Sequence, residues 1–324
     1  MTETGFPRRY LSLSLSVPFL VIAVCAVSMF FIGCDHNEPV PEGQASKSTS
    51  SESEKTSEPS IVLAVHPYAS PIKLVRDFSP LLEYLRERTG RGFSLVISQS
   101  YETHIAHIGN NKVDIALMGP GSYVTMTEKF GKKRLLCCFE VNGSPDFRGY
   151  IIVRKDSEAT SLADLQGKSF ASSSRESTMS YIVSRYMFIT AGVPFSNVQV
   201  RIVGSYNNVC LNILAGDVYA GGVKEITYQK YKDRNLKVIA VSPKVTEYPF
   251  VATDRLDDET YAQIKQAMID IKSKEEIEML LKPIKSTMTG LVPIADKDYD
   301  LLRNMITVVR EDQSRLTEEG EQTK

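Results

Sequence analysis

From Ile61 onward the chain alternates short apolar runs with segments of helical periodicity, and this alternation confines the folded part to βαβ units on largely parallel sheets. IVLAVH (61–66) reads as a strand and Pro67-Tyr68-Ala69-Ser70 as a turn. The helix after it takes Ser70 as N-cap and Pro71 at its first position, with Leu74, Phe78, Leu81, Leu82 and Leu85 on one face and Gly90 as its stop. FSLVIS (93–98) is a second strand and 101–108 a short helix. VDIALM (113–118) is a third strand and runs into Gly119-Pro120-Gly121-Ser122-Tyr123, where another helix begins.

YIIVR (150–154) leads out of this unit, and SLADLQGK (161–168) opens a second one. There follow SFASS, a helix over 178–191, the strand VQVRIV (198–203), a helix over 207–215 and the strand LKVIAV (236–241). PFVAT (249–253) is strand-like and precedes helices over 258–271 and 274–281. A chain of 324 residues has material for two lobes with a cleft between them. Burying the C-terminal stretch against the first unit gives lobe 1 at 60–148, lobe 2 at 149–245 and a return to lobe 1 at 246–310, with crossings near 147–152 and 241–250. No internal repeat is present.

The two ends read differently. Arg8 and Arg9 precede an uncharged run over 11–32 that ends in Phe31-Ile32-Gly33-Cys34, the form of an export signal over 1–33. Its Ile-Gly-Cys end resembles the lipobox of bacterial lipoproteins, which makes Cys34 the lipid-attachment residue; an uncleaved anchor and an ordinary secretory signal are the alternatives. Residues 34–59 hold Ser, Glu, Pro, Lys and Thr with almost nothing apolar and form a flexible tether. The polar 311–324 tail is expected to fray. The globular part is thereby placed outside the cytoplasm, held at a membrane.

Charge is balanced, Lys+Arg 38 against Asp+Glu 39, which argues against a polyanion binder working by bulk charge and makes nucleic acid an unlooked-for partner. Beyond Cys25 and Cys34 only Cys137, Cys138 and Cys210 remain, too few for a disulfide framework; adjacent Cys137 and Cys138 in RLLCCFEV read as small buried hydrophobes. Four histidines offer little to a metal enzyme. His104 and His107, three apart with Glu102 nearby, lack further ligands and read as exposed helix residues, and His66 at a strand end reads as a hydrogen-bonded wall residue. No metal or cofactor is implied. The chain has no Gly-x-Ser-x-Gly elbow, Walker A loop or His-Glu-x-x-His, so an extracytoplasmic enzyme lacks a nucleophile and base.

Three strand-to-helix turns carry small or hydroxylated residues where a helix starts: PYAS (67–70), GPGSY (119–123) and SSSREST (172–178). Each can be plain helix capping. Together they offer unpaired backbone N–H groups and positive dipole ends outside the carboxyl ends of strands, a setting for an oxyanion.

The segments SYETHIAHIGNNKVDIALMGPGSYV, RGYIIVRKDSEATSLADLQGKSFA, EST at 176–178, VGSYNNVCLNILAGDV and GLVPIADKDYDLLR, in this order and spacing, resemble the PhnD-like substrate-binding proteins of phosphate, phosphite and phosphonate ABC importers. The likeness spans roughly 61–306. It implies the two-lobed α/β fold of type II periplasmic binding proteins, each lobe a mostly parallel sheet flanked by helices, with a ligand clamped between lobes and no chemistry done on it. By position it assigns Tyr101, Tyr123, Ser177 and Thr178 to the anion oxygens. Tyr68, Gly119, Ser180 and Tyr206 complete the candidate site. Met179 replaces the family's third hydroxyl, for which Ser180 can substitute, and Tyr206 replaces its usual His, exchanging a proton-switchable ring for a neutral phenol. Acidic residues that receive a ligand ammonium in some members fall here at Ile226 and Tyr248, with Glu225 one residue away, so a small oxyanion or an ester with an uncharged tail is expected. The chain then reads as the monomeric, lipid-anchored receptor of an importer, presenting its ligand to a membrane permease. A sensory lipoprotein of the same fold, reporting to a membrane signalling protein, is the alternative.

Overall fold

The computed structural model describes residues 60–322, with side chains through 317. The expected signal, the tether and Cys34 lie outside the described residues. The first lobe opens with β1 (Ile61–Val65), α1 (Pro71–Thr89), β2 (Phe93–Ile97), α2 (Tyr101–Gly109), β3 (Ile115–Leu117), α3 (Pro120–Phe130) and β4 (Arg134–Val141). β5 (Asp146–Phe147) leads into the second lobe, which holds β6 (Gly149–Arg154), β7 (Ser169–Ser172), α4 (Ser184–Thr190), β8 (Gln199–Ile202), α5 (Tyr206–Ala215), β9 (Ala220–Lys224), α6 (Glu225–Tyr231) and β10 (Leu236–Val241). β11 (Val245–Thr246) returns to the first lobe, completed by β12 (Pro249–Ala252), α7 (Asp258–Ile269), α8 (Lys274–Glu276) and β13 (Met288–Val292); α9 (Asp300–Gln322) closes the described chain.

The first sheet runs in the order β13-β4-β12-β3-β1-β2 and the second β10-β6-β9-β7-β8. β1 to β4 share one direction, with β12 and β13 against them. In the second sheet β6 alone opposes its neighbours. The sheets are therefore mixed, because the strands that enter or return across the lobes pair antiparallel. β5 and β11 pair with each other, Phe147 opposite Val245, and form the two-stranded crossing.

Apolar spacing explains the first lobe directly. Leu74, Phe78, Leu81 and Leu85 of α1 are wholly buried against the sheet, and Gly90 closes the helix at φ 69°, a conformation that costs glycine least. Each such side chain contributes roughly 1.5–3 kcal/mol by leaving water. In the second lobe Phe170, Phe188 and Phe195 meet edge to face under β7.

β9 escapes a reading based on hydrophobic pattern because its centre is Gly221-Gly222. Both glycines are demanded by packing: a Cβ on Gly221 would lie 2.5 Å from Val209, and one on Gly222 2.3 Å from the Ser184 hydroxyl. The bare backbone brings β9 against α5 and the turn before α4, and it ends on Lys224. The helix expected over 178–191 is in two parts, a wide π-helical turn at Thr178–Val183 followed by α4.

Where it is described, the 311–324 tail is helical, since α9 continues to Gln322. Its packing explains the difference. Leu302, Met305 and Ile306 are buried in a core shared by both lobes, and α9 rests on α3 of the first lobe and α4 of the second. Arg310 pairs with Glu128 at 2.5 Å, and Arg185 with Asp312 at 2.9 Å, the latter pair nearly excluded from water. Removing one member of such a pair strands the other charge, so Asp312→Ala is expected to lower the unfolding free energy by about 3 kcal/mol. Urea denaturation measures this; a loss under about 0.5 kcal/mol, the size of an ordinary surface change, would show that α9 is not pinned there.

Candidate ligand-binding cleft

The carboxyl ends of both sheets face each other, and the helices that follow begin on one cavity of about 330 Å³. From the first lobe come Tyr68 of the turn after β1, Tyr101 at the start of α2, and Gly119 and Ser122 at the start of α3. From the second come Ser173, Ser174, Ser177 and Thr178 after β7, Gly204, Ser205 and Tyr206 at the start of α5, and Lys224 at the end of β9. Tyr248, just after β11, and Lys285, beyond α8, close the crossing side.

Capping accounts for part of this hydroxyl supply. Ser177 accepts from the Ser180 N–H at 3.3 Å and Ser205 from the Asn208 N–H at 3.1 Å, each satisfying one orphan donor of a helical start. The Ser177 and Tyr206 hydroxyls are 2.8 Å apart and hold each other toward the cavity. Across the cleft, the Gly121 N–H donates to Thr178 Oγ1 at 3.2 Å. A Cβ on Gly121 would lie 3.1 Å from that oxygen, so the glycine is what permits this approach of the lobes.

Burial keeps the phenols neutral. It pushes Tyr206 up to about 12 against the pull of the Lys224 ammonium, and it raises Tyr68, Tyr101 and Tyr248 further. All four remain O–H donors at neutral pH. Lys224 donates to Tyr248 Oη at 3.1 Å and lies 4.4, 4.8 and 5.5 Å from the ring centres of Tyr248, Phe147 and Tyr206. No carboxylate pairs with it among the described residues. Lys285 is bound to Glu247 at 2.7 Å; burial, opposed by Glu247 and reinforced by Lys224, pushes its pKa down.

Of the residues named from the sequence, Tyr68, Tyr101, Gly119, Ser177, Thr178 and Tyr206 line this cleft, and Tyr123 and Ser180 do not. Tyr123 sits one helical turn into α3, where its hydroxyl donates to Asp296 at 2.8 Å and its ring packs 4.7 Å from Tyr299. Ser180 is wholly buried behind the wall, its hydroxyl within 3.0 Å of the Ser172 and Ser173 hydroxyls and accepting from the Ser173 N–H. Lys224 and Lys285 were not anticipated: one is masked by the glycines of β9, the other lies in a loop with no motif. Glu225 accepts from Tyr150 at 2.7 Å and is absent from the cleft wall, so it does not replace the acids that Ile226 and Tyr248 lack.

His104 is not exposed, as its place on a polar-looking helix implied, but wholly buried. Its Nε2–H donates to the Leu117 carbonyl at 3.0 Å, which leaves Nδ1 to accept from the Ser98 hydroxyl at 2.9 Å. His66 stands behind the cleft wall, 5.0 Å from the rings of Tyr68 and Tyr101 and 5.8 Å from that of Tyr248. Among the described residues no group of His, Cys, Asp and Glu is arranged to hold a metal.

Two α/β lobes joined by short crossing strands, with hydrogen-bond donors from both converging on one cavity, define a clamp-type receptor for a small ligand. The chain belongs to the family described as ABC transporter, phosphonate, periplasmic substrate-binding protein, which matches residues 63–299. It is similar to the phosphate-import protein PhnD of Mycolicibacterium smegmatis, 26% identical over 274 residues that make up 76% of this chain and 85% of that protein. It is also similar to the phosphonates-binding periplasmic protein of Escherichia coli, 24% identical over 235 residues, 67% of this chain and 70% of the other. In fold it resembles a Prochlorococcus marinus protein solved with methylphosphonate, with a TM-score of 0.66 at 15% identity, covering 77% of this chain and 98% of that one. Relatives of this kind are binding components of importers and not enzymes, and the chain shares that character.

Burial drives the ring pKa of His66 from 6.5 down to about 3 and that of His104 to about 4. Unfolded, both would bind protons below about pH 6.5. The folded chain binds fewer, so stability is full above that value and falls as pH drops toward 4, by up to about 1.4 kcal/mol per pH unit for each ring. Urea unfolding at pH 6 and pH 5 is expected to show this slope, and His104→Asn to reduce it by about 1 kcal/mol per unit; an unchanged slope would mean His104 is already protonated in the fold.

Proposed function

We propose that the chain captures a small oxyanion of the phosphonate, phosphite or phosphate class between its lobes and presents the closed form to an ABC permease. The observation that carries this reading is the convergence of donors from both lobes on one cavity. Serine, threonine and tyrosine hydroxyls with the starts of α3 and α5 surround it, and two ammonium groups close its crossing side. Such a wall offers many hydrogen bonds to oxygen and no nucleophile paired with a base. Charge-assisted bonds from neutral donors to a tetrahedral anion are the interactions it is suited to make. The M. smegmatis relative is named for phosphate, the E. coli relative for phosphonates, and the P. marinus protein holds methylphosphonate. What these share is a phosphorus oxyanion.

In this reading the receptor works outside the cytoplasm as a monomer. Lipid on Cys34 holds it to a membrane, and residues 34–59 give the lobes reach toward the permease. The apolar run ending in Ile32-Gly33-Cys34 and the polar stretch behind it support this anchoring.

Ser177→Ala and Thr178→Ala are each expected to weaken methylphosphonate binding by about 1.5–3 kcal/mol in titration calorimetry. Wild-type affinity in the double variant would remove this turn from the site. For the anchor, Cys34→Ala is expected to block lipid labelling and leave the precursor uncut, and normal processing of that variant would count against it.

A further inference from the structure

Lys224 is the cleft's unexplained charge. Its ammonium is half-buried among three aromatic rings and bonded to the Tyr248 hydroxyl, and no described carboxylate neutralises it. Its neighbour Lys285 already has Glu247 at 2.7 Å. Glu176, the exposed carboxylate on the cleft wall, forms no ion pair with Lys224 among the described residues. A half-buried cation without a counter-charge is favourably completed by an anion from elsewhere.

The two lysines also mark a junction. Both line the cleft, and both line a second chamber of about 510 Å³ on the crossing side, whose wall includes Arg148, Lys244, Glu247 and Thr287. The buried side-chain polar atoms left without partners among the described residues are Glu247 Oε2 and Thr287 Oγ1, and both residues belong to this chamber. Both oxygens are buried inside the wall itself, which marks it as polar behind its open face.

We propose that the ligand carries a second acidic group, separated from its phosphorus head by a short linker, and that this tail is held at the junction of the two chambers by Lys224. The inference rests on the phosphorus-oxyanion reading above. The head takes the neutral donors of the helix starts and the tail takes the ammonium; beyond it, with Lys285 paired to Glu247, Arg148, Lys230 and Lys244 outnumber Asp146 and Glu225 on the chamber wall. The ligand class is then a phosphonocarboxylate or a similarly short molecule with acids at both ends. An aminoalkyl phosphonate would bring its own ammonium against that of Lys224.

Titration calorimetry of the full chain with methylphosphonate, phosphonoacetate and 2-aminoethylphosphonate tests this. Phosphonoacetate is expected to bind at least tenfold tighter than methylphosphonate, with 2-aminoethylphosphonate no tighter than methylphosphonate. Lys224→Met is expected to weaken phosphonoacetate at least tenfold more than methylphosphonate, and Lys224→Arg to restore most of the difference. If methylphosphonate binds and phosphonoacetate gains nothing, or if Lys224→Met weakens the two alike, the second-acid proposal fails while the phosphorus-oxyanion reading stands. If none of the three binds the wild-type chain, the second-acid proposal falls, and if inorganic phosphate and phosphite also fail to bind, the phosphorus-oxyanion reading falls with it.

Discussion

Backbone N–H groups at the start of a helix have no partner within the helix, and a fold that gathers several such starts creates a demand that caps meet in part and an anion or water can complete. In this chain the ends of two sheets aim that demand at one space. Gly119 and Ser122 face it from one lobe, and Ser173, Ser174, Ser177, Thr178 and Ser205 face it from the other. Caps such as Ser177 and Ser205 satisfy part of the need and add hydroxyls of their own. Lys224 then sets the sign of the space, because its ammonium meets aromatic faces and a phenol rather than a carboxylate.

The proposed closure depends on the strands that cross between the lobes. β5 and β11 are two residues each, a narrow connection that can flex without breaking either sheet. Among the described residues, hydrogen bonds cross the cleft from Gly121 to Thr178 and from Lys224 to Tyr248, and both involve residues of the cavity wall or the helix start beside it. Anything bound there therefore strengthens the same surfaces that hold the lobes together, which is how a clamp couples occupancy to shape. α9 works in the other sense: lying on α3 and α4 and tied through Arg310 and Arg185, it restricts how far the lobes can separate.

The parts legible in the sequence were those governed by local spacing. The apolar face of α1 and its glycine stop, the buried RLLCCFEV strand and the hydroxyl-rich turns all follow from side-chain periodicity and capping chemistry. Residues governed by distant partners were not legible. Tyr123 carries a motif tyrosine, yet Asp296 lies 173 positions further on and takes its hydroxyl. Ser180 looks like one more hydroxyl for the ligand until the Ser172 and Ser173 side chains are seen against it. His104 appears solvated on a short polar helix, and only the approach of β3, through the Leu117 carbonyl, buries it. Lys224 was hidden for a different reason: Gly221 and Gly222 erase the strand pattern that would have pointed to it, and the closeness of Val209 and Ser184 requires them.

The central claim is that one anion is gripped by both lobes at once. Small-angle scattering of the full chain, with and without saturating methylphosphonate, tests it most directly. The account predicts that the radius of gyration falls on adding ligand, as the surfaces around Gly121, Thr178, Lys224 and Tyr248 are drawn together. A radius that stays the same at saturation, with binding confirmed by calorimetry in the same buffer, would place the ligand on a single lobe and contradict the account.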